Sequence, residues 1–508
     1  MHNRRLAIVC AACAFASGAF AAPYASNVLI SGGTNVSFIL NEPADSLTYS
    51  INGGSPQTLD GSTKGTKNFI LGSASDTFSI FASKFDTVGY SRPTGGTITS
   101  VANGLSQNTA AGGTRVISDD TSVLGRFNSP RGVDVSKDPN SPNFGTAYVV
   151  NSAAGSVAAS GSFPARTTTG EGLYALRADM TDATGNGNAA ANPGAFSNTT
   201  SANSLYRNKV TADGNIYVSD FSDAAGNVYM YNPALTTGSQ MLTAVGGPTP
   251  LPAGQNHGST VAVHVEGSSA GGNLKIYTID EDLNSAQFGG GSTTDKNSLW
   301  RYDIDGSATP YNGTPTKLSS VLLGSASIID DLDRGADGKF YLSQSRSAGG
   351  EAGVYVLSSD GSTVLFDSLS ATRTLLGNPT ANDIFRNTQA IAVSPDQRFI
   401  AIMVNDSDVA VMPLVGGIPD IANRLLVDTG TDVISGRDIA FDAADNIYYV
   451  SSGQGVYRVL SPGGFTTAQT AYNGTAYSFA FTQLVPEPGS LALLGLACAG
   501  LVRRRRGH

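Results

Sequence analysis

Cysteine is nearly absent from this chain. Of its three cysteines, Cys10 and Cys13 lie near the start and Cys498 near the end, so the long middle has none. That excludes a disulfide scaffold and a thiolate metal site, and leaves stability to burial and hydrogen-bonded sheet. Histidine is almost as scarce. Only His257 and His264 fall in the body, which excludes a multi-histidine metal centre and H-E-x-x-H zinc chemistry. Charged residues are only 14% of the chain, too few for a fold built on long Glu-, Lys- and Arg-rich helices.

What is present points to strands and loops. Hydrophobic residues make up 40% of the 508 and there are 60 glycines. Such a chain can bury a core while making many turns, and its length suits two domains plus processing segments. All-β is therefore the expected class.

The start carries the marks of a secretory signal peptide over 1–21. Arg4 and Arg5 are followed by the apolar run Leu6 to Phe15 and by Ala19-Phe20-Ala21, an A-x-A cleavage site. Cleavage after Ala21 makes Ala22 the first residue, whereas cutting one residue later would leave Pro23 there. A lipid anchor at Cys10 or Cys13 is the rival, but neither follows a good Leu-x-small-Cys pattern.

Removing both ends takes six of the 31 basic residues and one of the 40 acidic ones, leaving a body of net charge −14. Nucleic acid would repel such a body, so it is excluded as a partner.

Residues 22–98 read as a small β-domain, since "NVSFILN" and "DTFSIFASKF" alternate polar and apolar residues between turn-rich segments. The stretch resembles the immunoglobulin-like domains placed ahead of propellers in exported bacterial proteins. A Gly/Thr/Ser/Asn-rich linker is expected over 99–114.

From 115 to 484 the text repeats imperfectly: a strand, an Asp/Gly or Asp/Asn turn, a Tyr-centred strand, a loop and another strand. The centres are Tyr148, Tyr217, Tyr277, Tyr341, Ile402 and Tyr448, spaced by 69, 60, 64, 61 and 46 residues. Insertions such as Thr181 to Asn203 are too polar to pack as strand. One such unit cannot cover both of its faces, and radial stacking of several covers them all. Six blades are legible. A seventh is conceivable if "TAYSFAFTQL" pairs with "TRVISDD". The cadence of "FNSPRGVDVS", "ADGNIYVSD" and "AADNIYYVSSGQGVYRV" resembles the six-bladed NHL and gluconolactonase-like β-propellers over Arg115 to Gly464. Lactonase-like propellers hold a divalent ion in the axial channel with Glu, Asn and Asp from different blades, and none of those ligands can be matched here residue by residue.

Candidate chemistry is thin. "DDLDRGADG" sets Asp331, Asp333 and Asp337 at alternating positions, a spacing able to collect oxygen ligands for Ca²⁺. Gly335 breaks the EF-hand pattern, and Asp-Gly turns account for the same residues. "DEDLN" (Asp280 to Asn284) is a looser version. "GSSAG" centres on Ser269, but a strand follows it, so a hairpin rather than a nucleophile elbow is expected. His264 alternates with valines and should face a loop or channel. Trp300 and the repeat tyrosines suit blade packing better than sugar stacking.

The tail, 485–508, has three parts: Pro486-Glu487-Pro488, an apolar run Leu491 to Val502, and Arg503, Arg504, Arg505 and Arg506. Twelve residues of helix reach about 18 Å at about 1.5 Å each, short of a roughly 30 Å bilayer core, so any span is transient. The arginines should stay cytoplasmic while the body lies outside. This order resembles the PEP-CTERM sorting signal. The resemblance implies an exosortase-type processing enzyme at the inner membrane and a destination at the cell surface, outer membrane or extracellular matrix, with exopolysaccharide and biofilm as context. An ordinary C-terminal anchor is the alternative.

The expectation for the body is a non-catalytic surface or matrix protein that binds a partner or glycan. A secreted propeller hydrolase or lactonase with a channel ion is the competing one.

Overall fold

The structure is a computed structural model. It describes residues 22–86, 89–90, 98–100, 106–109, 116–185, 190–191, 205–221, 228–242, 260–280, 298–304, 311, 315–319, 328–345, 350–404, 408–429 and 435–484. Every described strand lies within 22–484. No helix among the described residues is long and apolar enough to cross a membrane.

Two antiparallel sheets form a sandwich. One holds Ala25–Ser31, Asn35–Leu40 and Gly65–Ile70. The other runs Tyr477–Leu484, Gly464–Tyr472, Phe78–Asp86, Ser46–Ile51 and Gln57–Thr58. Strand alternation places Val36, Phe38, Leu40, Phe78, Ile80 and Ala82 in one core between them. The chain's last described strands thus complete a domain begun at its start.

Six further sheets are the blades of a β-propeller. Their inner strands are Pro130–Val135, Leu205–Val210, Thr260–Glu266, Ile328–Arg334, Ala390–Val393 and Gly436–Phe441. These six neighbour one another in that order, and the sixth returns to the first. The second strand of each blade carries the repeat centre, and Tyr148, Tyr217, Tyr277, Tyr341, Ile402 and Tyr448 are all buried between blades. At two of the five tyrosine centres the hydroxyl reaches a turn of the next blade: Tyr148 donates to Pro233 O at 2.9 Å and Tyr341 to Gly417 O at 2.9 Å. Apolar ring and polar tip both contribute to blade order.

Ring closure differs from one expectation. "TRVISDD" does not pair with "TAYSFAFTQL". Val116 bridges Leu460, and Ile117 N–H donates to Val459 O at 2.8 Å, so this segment supplies the outer edge of the sixth blade. "TAYSFAFTQL" instead folds back on Gly464–Tyr472 as a hairpin and joins the sandwich. The short hairpin loop costs little closure entropy, while six blades already close the ring. Two short strands, Ile98–Ser100 across the start of the stretch read as linker and Ser106–Thr109 within it, extend the fifth blade's sheet. Most of the Thr181 to Asn203 insertion lies outside the described residues.

Sandwich and propeller are tied at several points. Asn27 N–H donates to Phe144 O at 3.0 Å, and Tyr24 packs edge-on against Phe144 and Phe479.

The inner strands approach so closely that one position tolerates no side chain. A Cβ on Gly132 would lie 2.6 Å from Tyr206 O and 2.5 Å from Asn208 Oδ1 of the second blade. Gly132→Ala should therefore destabilise the propeller by about 1–3 kcal/mol through forced blade separation, measurable as a lower urea midpoint.

Candidate functional site: the mouth of the axial channel

Inner strands leave backbone N–H groups facing the neighbouring blade, and aspartates on the adjacent strand accept them. Asp134 Oδ2 accepts from Val210 N at 2.8 Å, Asp333 Oδ2 from Val393 N at 2.8 Å, Asp331 Oδ2 from Ile391 N at 3.0 Å, and Asp438 Oδ2 from Val133 N at 2.8 Å. These carboxylates staple first blade to second, fourth to fifth and sixth to first. Their positions on the inner strands also bring their charges to the channel.

Two cations from the second blade answer that charge. Arg207 crosses the channel. Its Nη1 donates to Arg131 O at 3.1 Å and to Arg437 O, and its Nη2 to Gln389 O at 2.6 Å. The guanidinium also lies 3.5 Å from Asp330 and 3.4 Å from Asp438. One side chain thus joins the second blade to the first, fourth, fifth and sixth.

Two residues further along the strand is Lys209. It is only 8% exposed, and its ammonium has no hydrogen-bond or ion-pair partner among the described residues. Burial works against its charge, but Asp333, Asp331, Asp134 and Asp438 outweigh that and hold it protonated well above the usual lysine range. Burial likewise opposes the charge of Asp333, while Lys209, His264 and the Val393 N–H pull its carboxyl far below the usual range.

Lys209 opens onto a cavity of about 330 Å³ to which all six blades contribute: Asp134, Lys209, His264, Asp333, Val393 and Ala440 are among its lining residues. At the rim Lys137 pairs with Asp134 at 2.6 Å, Arg334 with Glu266 at 2.5 Å, and His264 Nδ1 lies 3.1 Å from Asp333 Oδ1. Burial, then Glu266, pushes the Tyr277 hydroxyl beside that rim up to about 12. The cavity is therefore polar, nearly balanced in charge, and has one ammonium with donors to spare.

Of the residues singled out in the sequence, His264 does face the channel. Asp331 and Asp333 both reach it, because their spacing of two matches the strand period. Asp337 does not join them. It sits in the following turn, where it accepts from Lys339 N at 3.1 Å and pairs with Lys339 Nζ at 2.5 Å. No group of three His, Cys, Asp or Glu able to hold a metal ion occurs among the described residues. Ser269 lies in a hairpin turn between two strands of one blade, Thr260–Glu266 and Leu274–Asp280, with no helix after it. Trp300 packs against the apolar cluster between second and third blades. Lys209 and Arg207 were not foreseen. "LYRNKV" carried their signal, since two cations two apart within a strand share one face. Ala19, Ala21, His257, Pro486, Glu487, Pro488 and Arg503 to Arg506 lie outside the described residues, as does all of Asp280 to Asn284 except Asp280.

The strand Tyr477–Leu484 ends where the tripartite tail begins. Residues 484–506 match the family described as the PEP-CTERM protein-sorting motif. The tail is a PEP-CTERM sorting motif. Carrying it, the chain is an exported protein, processed by an exosortase and sorted to the cell surface. No curated protein matches the chain.

Among solved structures, one similar to it is a protein of unknown function from Bacteroides thetaiotaomicron VPI-5482. The two are 12% identical, with 86% of this chain and 98% of that one covered and a TM-score of 0.40. A streptogramin B lyase structure is 12% identical, covers 71% and 85%, and has a TM-score of 0.34. A nidogen/laminin complex gives 8%, 68% and 92%, and 0.33. The propeller assignment rests on the strand order and the closed ring described above.

Proposed function

We propose that this PEP-CTERM protein is a non-catalytic component of the cell surface or extracellular matrix, and that its propeller binds a partner or glycan at the channel mouth. One observation carries the reading. Carboxylates from three blades direct their charge to Lys209, so the chain's own ammonium stands where a divalent ion would otherwise balance them. The Lys209 donors call for an oxygen acceptor from outside, while Asp134 and Asp333 on the walls disfavour an anion. Hydroxyls of a neutral sugar satisfy both demands.

The competing reading, a hydrolase or lactonase with a channel ion, predicts the opposite behaviour towards calcium. Purified residues 22–484 should contain no stoichiometric divalent metal, and millimolar Ca²⁺ should leave their melting temperature unchanged. Lys209→Met removes the balancing charge, so its melting temperature should rise when Ca²⁺ is added. Metal analysis and thermal melts decide the matter. A stoichiometric ion in the unmodified protein, lost in Asp333→Asn, would overturn the binding-protein reading.

A further inference from the structure

Where sandwich meets propeller, the backbone at Ala22 is gripped from both sides. Its N–H donates to Asn446 Oδ1 at 3.2 Å, and its carbonyl accepts from Asn41 Nδ2 at 3.1 Å. Asn41 Oδ1 accepts from Tyr24 N at 2.7 Å, fixing the next turn of chain. Asn41 belongs to the sandwich side and Asn446 to the turn before the second strand of the sixth blade.

Behind Asn446 is a buried acid. Asn446 Nδ2 donates to Asp442 Oδ2 at 2.8 Å, and Asp442 Oδ1 accepts from Ala444 N and Asn446 N, each at 2.8 Å. Tyr448 OH donates to Asp442 Oδ2 at 3.2 Å. No basic side chain forms an ion pair with Asp442 among the described residues, and burial raises its carboxyl above the ordinary range. Facing this corner are the hydroxyls of Tyr24, Tyr448 and Tyr457. On the sandwich side, Lys84 and Glu42 lie 4.0 Å from each other. The corner therefore holds a buried carboxylate without a cation, one hydrogen-bonded side chain away from a backbone nitrogen.

We propose that this corner is a receptor for the amino terminus made by cleavage after Ala21, a primary ammonium bound by Asn446 and, through it, by Asp442. The proposal rests on reading Ala19-Phe20-Ala21 as the cleavage signal. In the cleavage step water adds across the Ala21–Ala22 amide. Its hydroxyl stays on the Ala21 carbonyl, which leaves as a carboxylate, and Ala22 nitrogen gains protons to become an ammonium. An amide nitrogen with one N–H and no charge is replaced by a group with three N–H donors and a full positive charge. That group fits a site that has an acceptor in reach and an uncompensated acid behind it. The sandwich–propeller junction is then tightest only once the signal has been removed, which orders folding after export.

The test compares residues 22–484 beginning with a free Ala22 amine and the same chain with Gly-Ser placed ahead of it. The extension should lower the melting midpoint by about 2 °C or more. Asp442→Asn should lower the midpoint of the Ala22 form and shrink the gap between the two forms. Should Asp442→Asn not fold, acylation of α-amines replaces it: Ala22 should resist the reagent in the native protein and react after unfolding in urea. Equal midpoints for the two starts would overturn the proposal. So would equal acylation of native and unfolded protein, or an exported chain whose sequenced amino terminus is not Ala22.

Discussion

Arg207→Met should cost the propeller about 3–5 kcal/mol, the range for stripping one partner from a buried ion pair. The methionine fills similar space, but Asp330, Asp438 and the carbonyls of Arg131, Gln389 and Arg437 lose their donor. Arg207→Lys keeps the charge without the planar fork and should lose less. Urea unfolding of the three proteins measures the effect.

A pH series adds a signature that lost packing alone would not produce. Burial already sets Asp330 and Asp438 above the ordinary carboxylate range, with Arg207 holding them down. Without the guanidinium, both take up protons in the folded state at still higher pH. A carboxyl with a raised folded pKa adds stability at low pH and loses it as pH climbs through that value. The variant's stability should therefore fall more steeply than the parent's between about pH 5 and 8. Parallel pH profiles for the two proteins would show that the arginine does not balance these acids.

Two stop codons 21 residues apart should give opposite phenotypes. Ending the chain after Leu484 removes the PEP-CTERM motif and leaves every described strand in place. That protein should fold normally but leave the cell by simple secretion instead of passing through membrane-linked intermediates. Fractionation in the native host measures this, and identical fractionation of truncated and full-length protein would end the sorting account.

Ending the chain after Gly463 removes Gly464–Tyr472 and Tyr477–Leu484, two of the five strands in the larger sandwich sheet. The Phe78–Asp86 strand then becomes an open edge, and Tyr24 loses its contact with Phe479. An uncovered edge beside an apolar face favours aggregation. This shorter protein should be insoluble or digested down to a propeller-sized core in limited proteolysis.

The sequence was most legible where its information is local. Alternation in "DTFSIFASKF" marked a strand, and that segment is one, buried on alternate residues along Phe78–Asp86. Recurrence of the tyrosine-centred unit marked six blades, because the first three strands of each blade follow one another along the chain, even though the fifth and sixth blades gain their outer edges from residues before the repeats. The sorting motif was readable for the same reason: proline, apolar run and arginines act by their order along a single segment.

What joins distant segments was not readable in this way. Nothing in "TAYSFAFTQL" says that it finishes a sandwich begun more than four hundred residues earlier, since an alternating strand suits any sheet with an open edge. The spacing of Asp331 and Asp333 reports only that they share a face. The partners that use that face, Ile391 N and Val393 N, come from the next blade.

The sequence by itself determined the all-β class, the repeating blade, the acidic cysteine-free body and the sorting tail. Only the tertiary structure decided that Arg207 pins five blades together and that Lys209 takes the cationic place among the channel acids. Only it decided that Ala22 lies against Asn446. The physical reason is long-range packing. Arg207 and Lys209 meet the channel acids when the ring of six inner strands closes, and Ala22 meets Asn446 where the sandwich docks on the propeller, both set across the whole chain rather than by any window of it.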